Sequence, residues 1–460
     1  MLPDVVLLEI FDFYVEDWVY SSGFTLMVWH RVRLLHVCQK WRNVALGSPE
    51  RLDLRLQIFC YRPKAPVKEL LDIWPHLPII LSSDWHPNFY DGDYDRIYEA
   101  LEPNDRLYEI ELFGIPSSQT GKFLLAMQQP FPRLTNLELG FKGETTTVYP
   151  LSFFGGSAPS LRSLRLHHTP PRLVPKLLLS ATHLVCLRFW DIPHFWYISP
   201  DTMASSLSVL TMLETLIIEF EFPGWKSQRT PPPTRILLPT LTMFVFKGAG
   251  EYLDDLVARI DAPLLNKLDM TFFHRLVFDT PRLAQFISRI PKFKASYDAQ
   301  VIFSDQAVSV THWQAFGGRI GWRILCSQPD WQLSSLAQVC SSTLPPTLVH
   351  TIEHLYIREL SAPYSHDIES CQWLDLLRPF TAVKDLYLSP EFVLRILPAL
   401  EELIREGVTE LLPALQTLFL DGPLASGLIG ETIARFVTAR RSANHPIVVS
   451  RWKNDNLLED

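Results

Sequence analysis

PSLRSLRL, residues 159–166, decides how this chain folds. Leu164 and Leu166 alternate with polar residues, the pattern of a short strand with one buried face. Ahead of them stand Pro159, a turn residue, and a first leucine, Leu161. The same apolar spacing returns in PRLTNLEL (132–139), PTLTMFVF (239–246), PLLNKLDM (263–270) and PALQTLFL (413–420). Copies without the proline begin at Arg106, His183, Met212, Thr351 and Ala382. The first apolar positions Leu107, Leu134, Leu161, Leu184, Leu213, Leu241 and Leu265 are 27, 27, 23, 29, 28 and 24 residues apart.

A period in the twenties is that of leucine-rich repeats. Between the copies lie helix-like segments: 117–129, 170–181, 199–210, 251–260, 280–290, 390–407 and 430–441. Several open on Ser or Thr followed by Pro or an acidic residue, the usual helix start. Each unit therefore reads helix, turn, strand. Right-handed crossovers between parallel neighbours build such units into an α/β solenoid, with strands on one surface and helices on the other. The expected fold class is α/β, an irregular horseshoe preceded by a helical domain. Its parts are the helical domain (1–60) with an inserted loop at 15–33, a linker or first cap unit (61–104), a repeat array (105–291), an irregular section (292–348), and C-terminal repeats with a cap (349–460). In the irregular section AQVIF, AVSVTHW and GRIGWRILC read as strands and WQLSSLAQVCSS as a helix, either a hairpin-containing stretch or a break between sub-arrays.

Composition narrows the function. Hydrophobic residues make up 47% and charged residues 20%, a globular balance with ample chain for a core. A net charge of −8 without a long basic run argues against nucleic acid as a partner. No signal peptide, sequon or apolar run near twenty residues is present, so a cytoplasmic or nuclear protein without a membrane partner is expected. Cys38, Cys60, Cys186, Cys326, Cys340 and Cys371 are scattered, with neither a disulfide framework nor zinc spacing.

Function, if carried by the repeats, lies in strand residues that point away from the core. These include Glu138, Arg165, His167, Arg188, Trp190, Asp269, Tyr356, Arg358, Tyr387 and Phe419. Arg165, Arg188, Trp190, Asp269, Tyr356, Tyr387 and Phe419 are the candidate residues for binding a protein substrate. Tyr356, Tyr387 and Phe419 fall in neighbouring strands and form an aromatic stripe, suited to an interaction surface or to cover by a loop or the C-terminal tail.

The chain opens LPDVVLLEIFDFYV, in which Leu7, Ile10, Phe11 and Tyr14 stand at i, i+3, i+4 and i+7 behind a helix-starting Pro3. Leu34, Val37, Cys38 and Trp41 repeat the spacing. Two such stripes in about 45 residues make a unit too small to be stable alone, so something must complete its core. These positions, with Leu2-Pro3 before them and SPERLDLRL after, resemble the F-box motif. The continuation KELLDIWPHLPIIL is similar to mushroom-type fungal F-box proteins with a leucine-rich-repeat-like body. The resemblance implies the substrate-recognition subunit of an SCF-type ubiquitin ligase, docking on a Skp1-type adaptor and through it a cullin. Leu2, Pro3, Leu7, Ile10, Phe11, Leu34, Val37, Cys38 and Trp41 would then form or support the adaptor interface. An alternative is a repeat scaffold that uses the adaptor without a ligase. The insertion adds Trp18, Tyr20, Phe24 and Trp29, a departure from the motif that bears on docking.

Catalytic motifs are absent: no G-x-S-x-G, Walker A, G-x-G-x-x-G or H-E-x-x-H. Asp91, Asp93, Asp95, Glu99 and Glu102 imitate an EF-hand loop, but Arg96 occupies the glycine position, and a helix with an acidic first turn explains them. No metal and no cofactor is expected. An enzymatic reading would need His312, Trp313 and Arg323 to converge.

Overall fold

The computed structural model describes residues 2–16, 33–49, 51–52, 54–59, 66–74, 77–83, 94–142, 153–168, 177–193, 198–222, 235–273, 280–294, 296–313, 317–359, 370–405, 411–421 and 427–452. The residues divide into two units, Met1–Ile192 and Pro193–Asp460.

The repeat pattern works through two backbone devices. In the first, the N–H of each leading leucine donates to the carbonyl three residues back: Leu134 to Phe131, Leu161 to Ala158, Leu241 to Leu238, Leu265 to Ala262 and Leu415 to Leu412, at 3.2–3.4 Å. Pro132, Pro159, Pro239, Pro263 and Pro413 hold the second position of these turns, where a ring-fixed φ favours the turn. In the second, one carbonyl accepts two successive N–H groups of the next repeat. The Thr135 carbonyl accepts from Arg162 and Ser163 at 2.8 and 3.0 Å, and the Arg162 carbonyl accepts from Val185 and Cys186 at the same distances. Glu214, Thr242, Glu353 and Lys384 act alike in the second unit.

In the first unit α1 (Asp4–Glu16) and α2 (Gln39–Gly47) precede β1 (Leu56–Phe59), α3 (Val67–Ile73), β2 (Ile79–Ser82), α4 (Tyr94–Leu101), β3 (Leu107–Pro116), α5 (Ser117–Ala126), β4 (Asn136–Lys142), β5 (Ser163–His167) and β6 (Cys186–Ile192). The six strands pair in chain order, all parallel. Parallel pairing thus begins at Leu56, ahead of the start at 105 that the leucine spacing gave. The described residues of 61–104, the segment read as a linker or first cap unit, hold two helices and a strand. β1 and β2, with the residues leading into them, alternate apolar residues (Leu54 and Ile58; Leu77, Ile79 and Leu81, all buried) without the full L-x-x-L-x-L signature. Most of the helix expected at 170–181 lies outside the described residues.

In the second unit the elements run α6 (Pro200–Leu207), β7 (Thr215–Phe220), β8 (Ile236–Leu237), β9 (Met243–Gly248), α7 (Gly250–Val257), β10 (Ile260–Asp261), β11 (Lys267–Phe273), α8 (Pro281–Arg289), β12 (Asp298–Phe303), β13 (Ala307–Trp313), β14 (Arg319–Leu325), α9 (Pro329–Gln338), α10 (Pro346–Val349), β15 (His354–Glu359), α11 (Ser370–Leu377), β16 (Asp385–Leu388), α12 (Pro390–Arg405), β17 (Thr417–Asp421), α13 (Leu428–Ser442) and β18 (Val448–Trp452). The order across its main sheet is β7-β9-β11-β14-β13-β12-β15-β16-β17-β18. The irregular section is an antiparallel meander. β13 runs against both β12 and β14, while β14 is parallel to β11 and β12 is parallel to β15.

Buried side chains fill the space between sheet and helices. Phe303, Trp373 and Phe392 meet with ring centroids 5.3–5.6 Å apart. A polar seam, buried at Asp254, Asp255 and Arg259, joins α6, α7 and α8: Arg259 pairs with Asp201, Arg282 with Asp255 at 2.7 Å, and Asp254 Oδ1 accepts the Leu283 N–H at 2.8 Å. The last bond satisfies one of the free donors in the first turn of α8. No helix among the described residues is long and apolar enough to cross a membrane.

Two outcomes follow from this packing. Asp254→Ala leaves a buried N–H unpaired and is expected to lower the stability of the second unit by about 1–3 kcal/mol, read by urea unfolding. His312 is buried with neither ring nitrogen hydrogen-bonded among the described residues, and burial pulls its pKa down to about 3. Between its ordinary value of 6.5 and 3, the unfolded chain takes up a proton that the folded chain refuses. Stability therefore falls as pH drops below 6.5, by about 2 kcal/mol at pH 5 from this group. Replacing it, as in His312→Leu, should flatten the pH 7 to 5 stability profile by that amount; equal slopes for the two proteins would show the imidazole is not so enclosed.

Candidate functional site

The first candidate surface is α1. Leu7, Phe11, Leu34, Leu35, Val44, Ala45, Leu52, Leu54 and Leu77 form one buried cluster, with Trp41, Leu56 and Trp74 packed against it. The core of the opening helices is thus completed by the chain itself, from β1 and the approach to β2. Phe11 meets Trp41 edge to face at 4.9 Å. The second stripe is not a continuous helix. Leu34–His36 is a short 3-10 turn, and extended Cys38 caps α2, its Sγ accepting the Trp41 N–H at 3.4 Å. Spacing alone could not show this break, because Cys38 acts as a cap rather than as an apolar residue.

Of the residues expected to serve an adaptor, Leu7, Phe11 and Leu34 are buried, Trp41 is half-buried, and Leu2, Pro3, Ile10, Val37 and Cys38 are exposed. Val5, Val6 and Phe13 are exposed as well, Phe13 at 73%. Val5, Val6, Ile10 and Phe13 lie within roughly 140° of arc on α1 at 3.6 residues per turn. Val6 and Phe13 were legible as a second stripe with Ile10, since Val6, Ile10 and Phe13 stand at i, i+4 and i+7. α1 continues through Glu16, and residues 17–32, with Trp18, Tyr20, Phe24 and Trp29, lie outside the described residues.

The second surface is the helix-free face of the first unit's sheet. Glu111, Glu138, Arg165 and Arg188 stand in register on neighbouring strands. Glu138 accepts from Arg165 at 3.1 Å and lies 3.2 Å from His167 Nε2. Burial raises the Glu138 pKa, but the bonds from His167 and Arg165 outweigh it and hold the carboxyl below its ordinary value. Glu111 is pushed up by burial and by its carboxylate neighbours Glu109 and Glu138. His167 stacks on Trp190 at 4.3 Å, and Arg188 lies 5.6 Å from the same ring. Arg165, Arg188 and Trp190 are therefore one connected group.

The third surface is the corresponding face of the second unit. Tyr356, Tyr387 and Phe419 are in register and stacked, with centroids 4.1 and 4.4 Å apart and planes within 17° and 6°. Trp452 of β18 packs against both tyrosines at 5.6 and 5.4 Å, and Arg358 lies over Trp452 at 5.5 Å. The stripe is thus covered in part by a residue near the chain's end, and its rings stay half-buried. Burial is also the main cause that raises the pKa of Tyr356 and of Tyr387. Trp313 extends the aromatic run, 5.9 Å from Tyr356. Trp452 escaped the repeat reading because VVSRW lacks the leucine signature.

Beside the ladder lies a cavity of about 400 Å³ over the meander, lined by Asp269, Gln300, Thr311, Trp313, Arg319 and Arg323 among others. Asp269 is 3.5 Å from Lys267 and 3.9 Å from Arg319. It leans over Gly321, where a Cβ would come within 2.5 Å of its Oδ1. His312 does not join Trp313 and Arg323. It faces the core, 6.0 Å from Trp322, while its neighbours in sequence face the cavity side. Among the described residues, no three His, Cys, Asp or Glu residues are grouped to hold a metal. Asp91 and Asp93 of the EF-hand imitation lie outside those residues, and Asp95 and Glu99 stand on α4.

No family model matches the chain, and no curated protein matches it. Among solved structures it is similar to the leucine-rich repeat-containing protein LegL7 from Legionella pneumophila, 14% identical, with a TM-score of 0.30, covering 83% of this chain and 97% of that one. That likeness is too loose to carry any residue's role.

Tyr387→Ala removes the middle ring of the ladder. Its expected effects are a stability loss of about 1–2 kcal/mol and a changed near-ultraviolet circular dichroism signal from Trp452. An unchanged spectrum would mean that Trp452 is not held against the tyrosines.

Proposed function

We propose that this chain is a substrate-recognition subunit of an SCF-type ubiquitin ligase, with α1 as the docking element for a Skp1-type adaptor and the helix-free sheet faces as the surfaces for a protein substrate. One observation carries the reading. The opening helical unit has its own filled core, yet it leaves Leu2, Val5, Val6, Ile10, Phe13 and Val37 exposed, and these need a cover from outside that core. Burying such side chains yields about 1.5–3 kcal/mol each, enough for a stable complex after association costs are subtracted. Recognition on this reading is hydrophobic packing, and no catalytic step is assigned to the chain. The compartment consistent with it is the cytoplasm or the nucleus.

Co-expression with a Skp1-type adaptor tests the reading. The intact chain should co-elute with it. Val5→Glu combined with Phe13→Glu should abolish co-elution without altering the unfolding midpoint, since both side chains already face water. Co-elution that survives the two charges would remove α1 as the docking element. Recovery of the adaptor without a cullin would favour the scaffold reading over the ligase. Changing Tyr356, Tyr387 and Phe419 together to Ala should reduce substrate capture and leave adaptor binding intact.

A further inference from the structure

The cavity over the meander and the aromatic ladder are continuous parts of one row. On the helix-free face, Asp269, Gly321, Thr311, Gln300, Tyr356, Tyr387 and Phe419 are register partners on successive strands. From Gly321 to Phe419 the row crosses five strand spacings, about 24 Å at about 4.8 Å each. The first part of the row is low, because Gly321 has no side chain and Thr311 a small one. The second part is a raised stack of rings.

The low part is charged and rich in hydrogen-bonding groups. Arg319 and Arg323 line it with only one carboxylate, Asp269, among the lining residues, which leaves one positive charge in excess. Arg323 is exposed and has no ion-pair or hydrogen-bond partner among the described residues. Arg319 is 3.9 Å from Asp269, and its Nε is buried with no hydrogen-bond partner among those residues. Thr271, Ser309, Thr311 and Gln300 add hydroxyl and amide donors around the same space. Lys267, 3.5 Å from Asp269, adds to the positive charge, so these surroundings favour an anion. A dianion would be set against Asp269.

We infer that this cavity is an acceptor pocket for the carboxylate of an Asp or Glu side chain on an extended partner segment, whose adjoining apolar residues lie along the ladder. The inference rests on the reading that this face binds a protein. A segment of about seven extended residues matches the row at about 3.3 Å per residue, whereas a small acid would fill the cavity and leave the ladder open.

The test pans a random heptapeptide library displayed on phage against the immobilised full chain, in parallel with Arg323→Ala and with the triple ladder variant. Recovered peptides are then measured by fluorescence polarisation. Peptides with an acidic residue next to aromatic or aliphatic ones are expected. Arg323→Ala should weaken their binding by about tenfold or more, and Glu→Gln in the peptide should do the same, with little further loss when both are combined. Gly321→Ala, which displaces Asp269 into the cavity floor, should also weaken binding. Peptides that need the ladder but are indifferent to Arg323→Ala and to Glu→Gln would overturn the pocket and leave the protein-binding face standing. Failure to enrich any peptide over the ladder variant would overturn both. Tighter binding by about tenfold with phosphoserine in place of Glu would replace the carboxylate with a dianionic group.

Discussion

A single backbone carbonyl that accepts two N–H groups from the next repeat holds the register of this protein. Thr135, Arg162, Glu214, Thr242, Glu353 and Lys384 each do so at 2.8–3.0 Å. The paired bonds fix where each strand begins relative to the one before it. Because side chains alternate along a strand, a slip of one residue would exchange the core face with the water face. Every other feature depends on that phase: buried Leu164 and Leu166, outward Arg165, and the alignment of Tyr356, Tyr387 and Phe419.

The same phase gives the two units different surfaces from similar cores. In the first unit, outward positions carry Glu111, Glu138, Arg165 and Arg188, whose charges largely answer one another along the row. In the second, outward positions carry rings that stack within 4.4 Å and a polar hollow beside them. Charge pairs at a surface contribute little net stability, while aromatic stacks bring apolar area together in half-buried form. The second surface therefore has more to gain from being covered.

Much of this was legible in the sequence. The leucine spacing located β3–β7, β9, β11 and β15–β17, and outward alternation identified the ladder, because period-2 patterning survives any variation in the connecting helices. β1 was read into the helical domain, and β2 into a linker or first cap unit, because Leu54, Ile58, Ile79 and Leu81 alternate without the leucine signature. The break at Cys38 was missed because capping depends on a φ of −160°, which no apolar spacing reports. The hollow was invisible for a different reason: it is made by what Gly321, Ser309 and Thr311 lack, and small residues leave no periodic trace. Its arginines, Arg319 and Arg323, are neighbours of Asp269 only because β14, and not β12, pairs with β11.

That pairing carries a rule of parity. A parallel array accepts extra strands at an interior position only if the direction of travel is restored before the array resumes, so antiparallel detours must contain an odd number of strands. β12, β13 and β14 satisfy this with the smallest number above one, and β15 resumes parallel to β12 as though a single strand had been widened threefold. Widening without reversal separates β11 from β15 by three strands while keeping both in the same orientation. A broad, shallow floor in the middle of a repeat array is then a matter of counting, available to a chain that doubles back twice and to none that doubles back once.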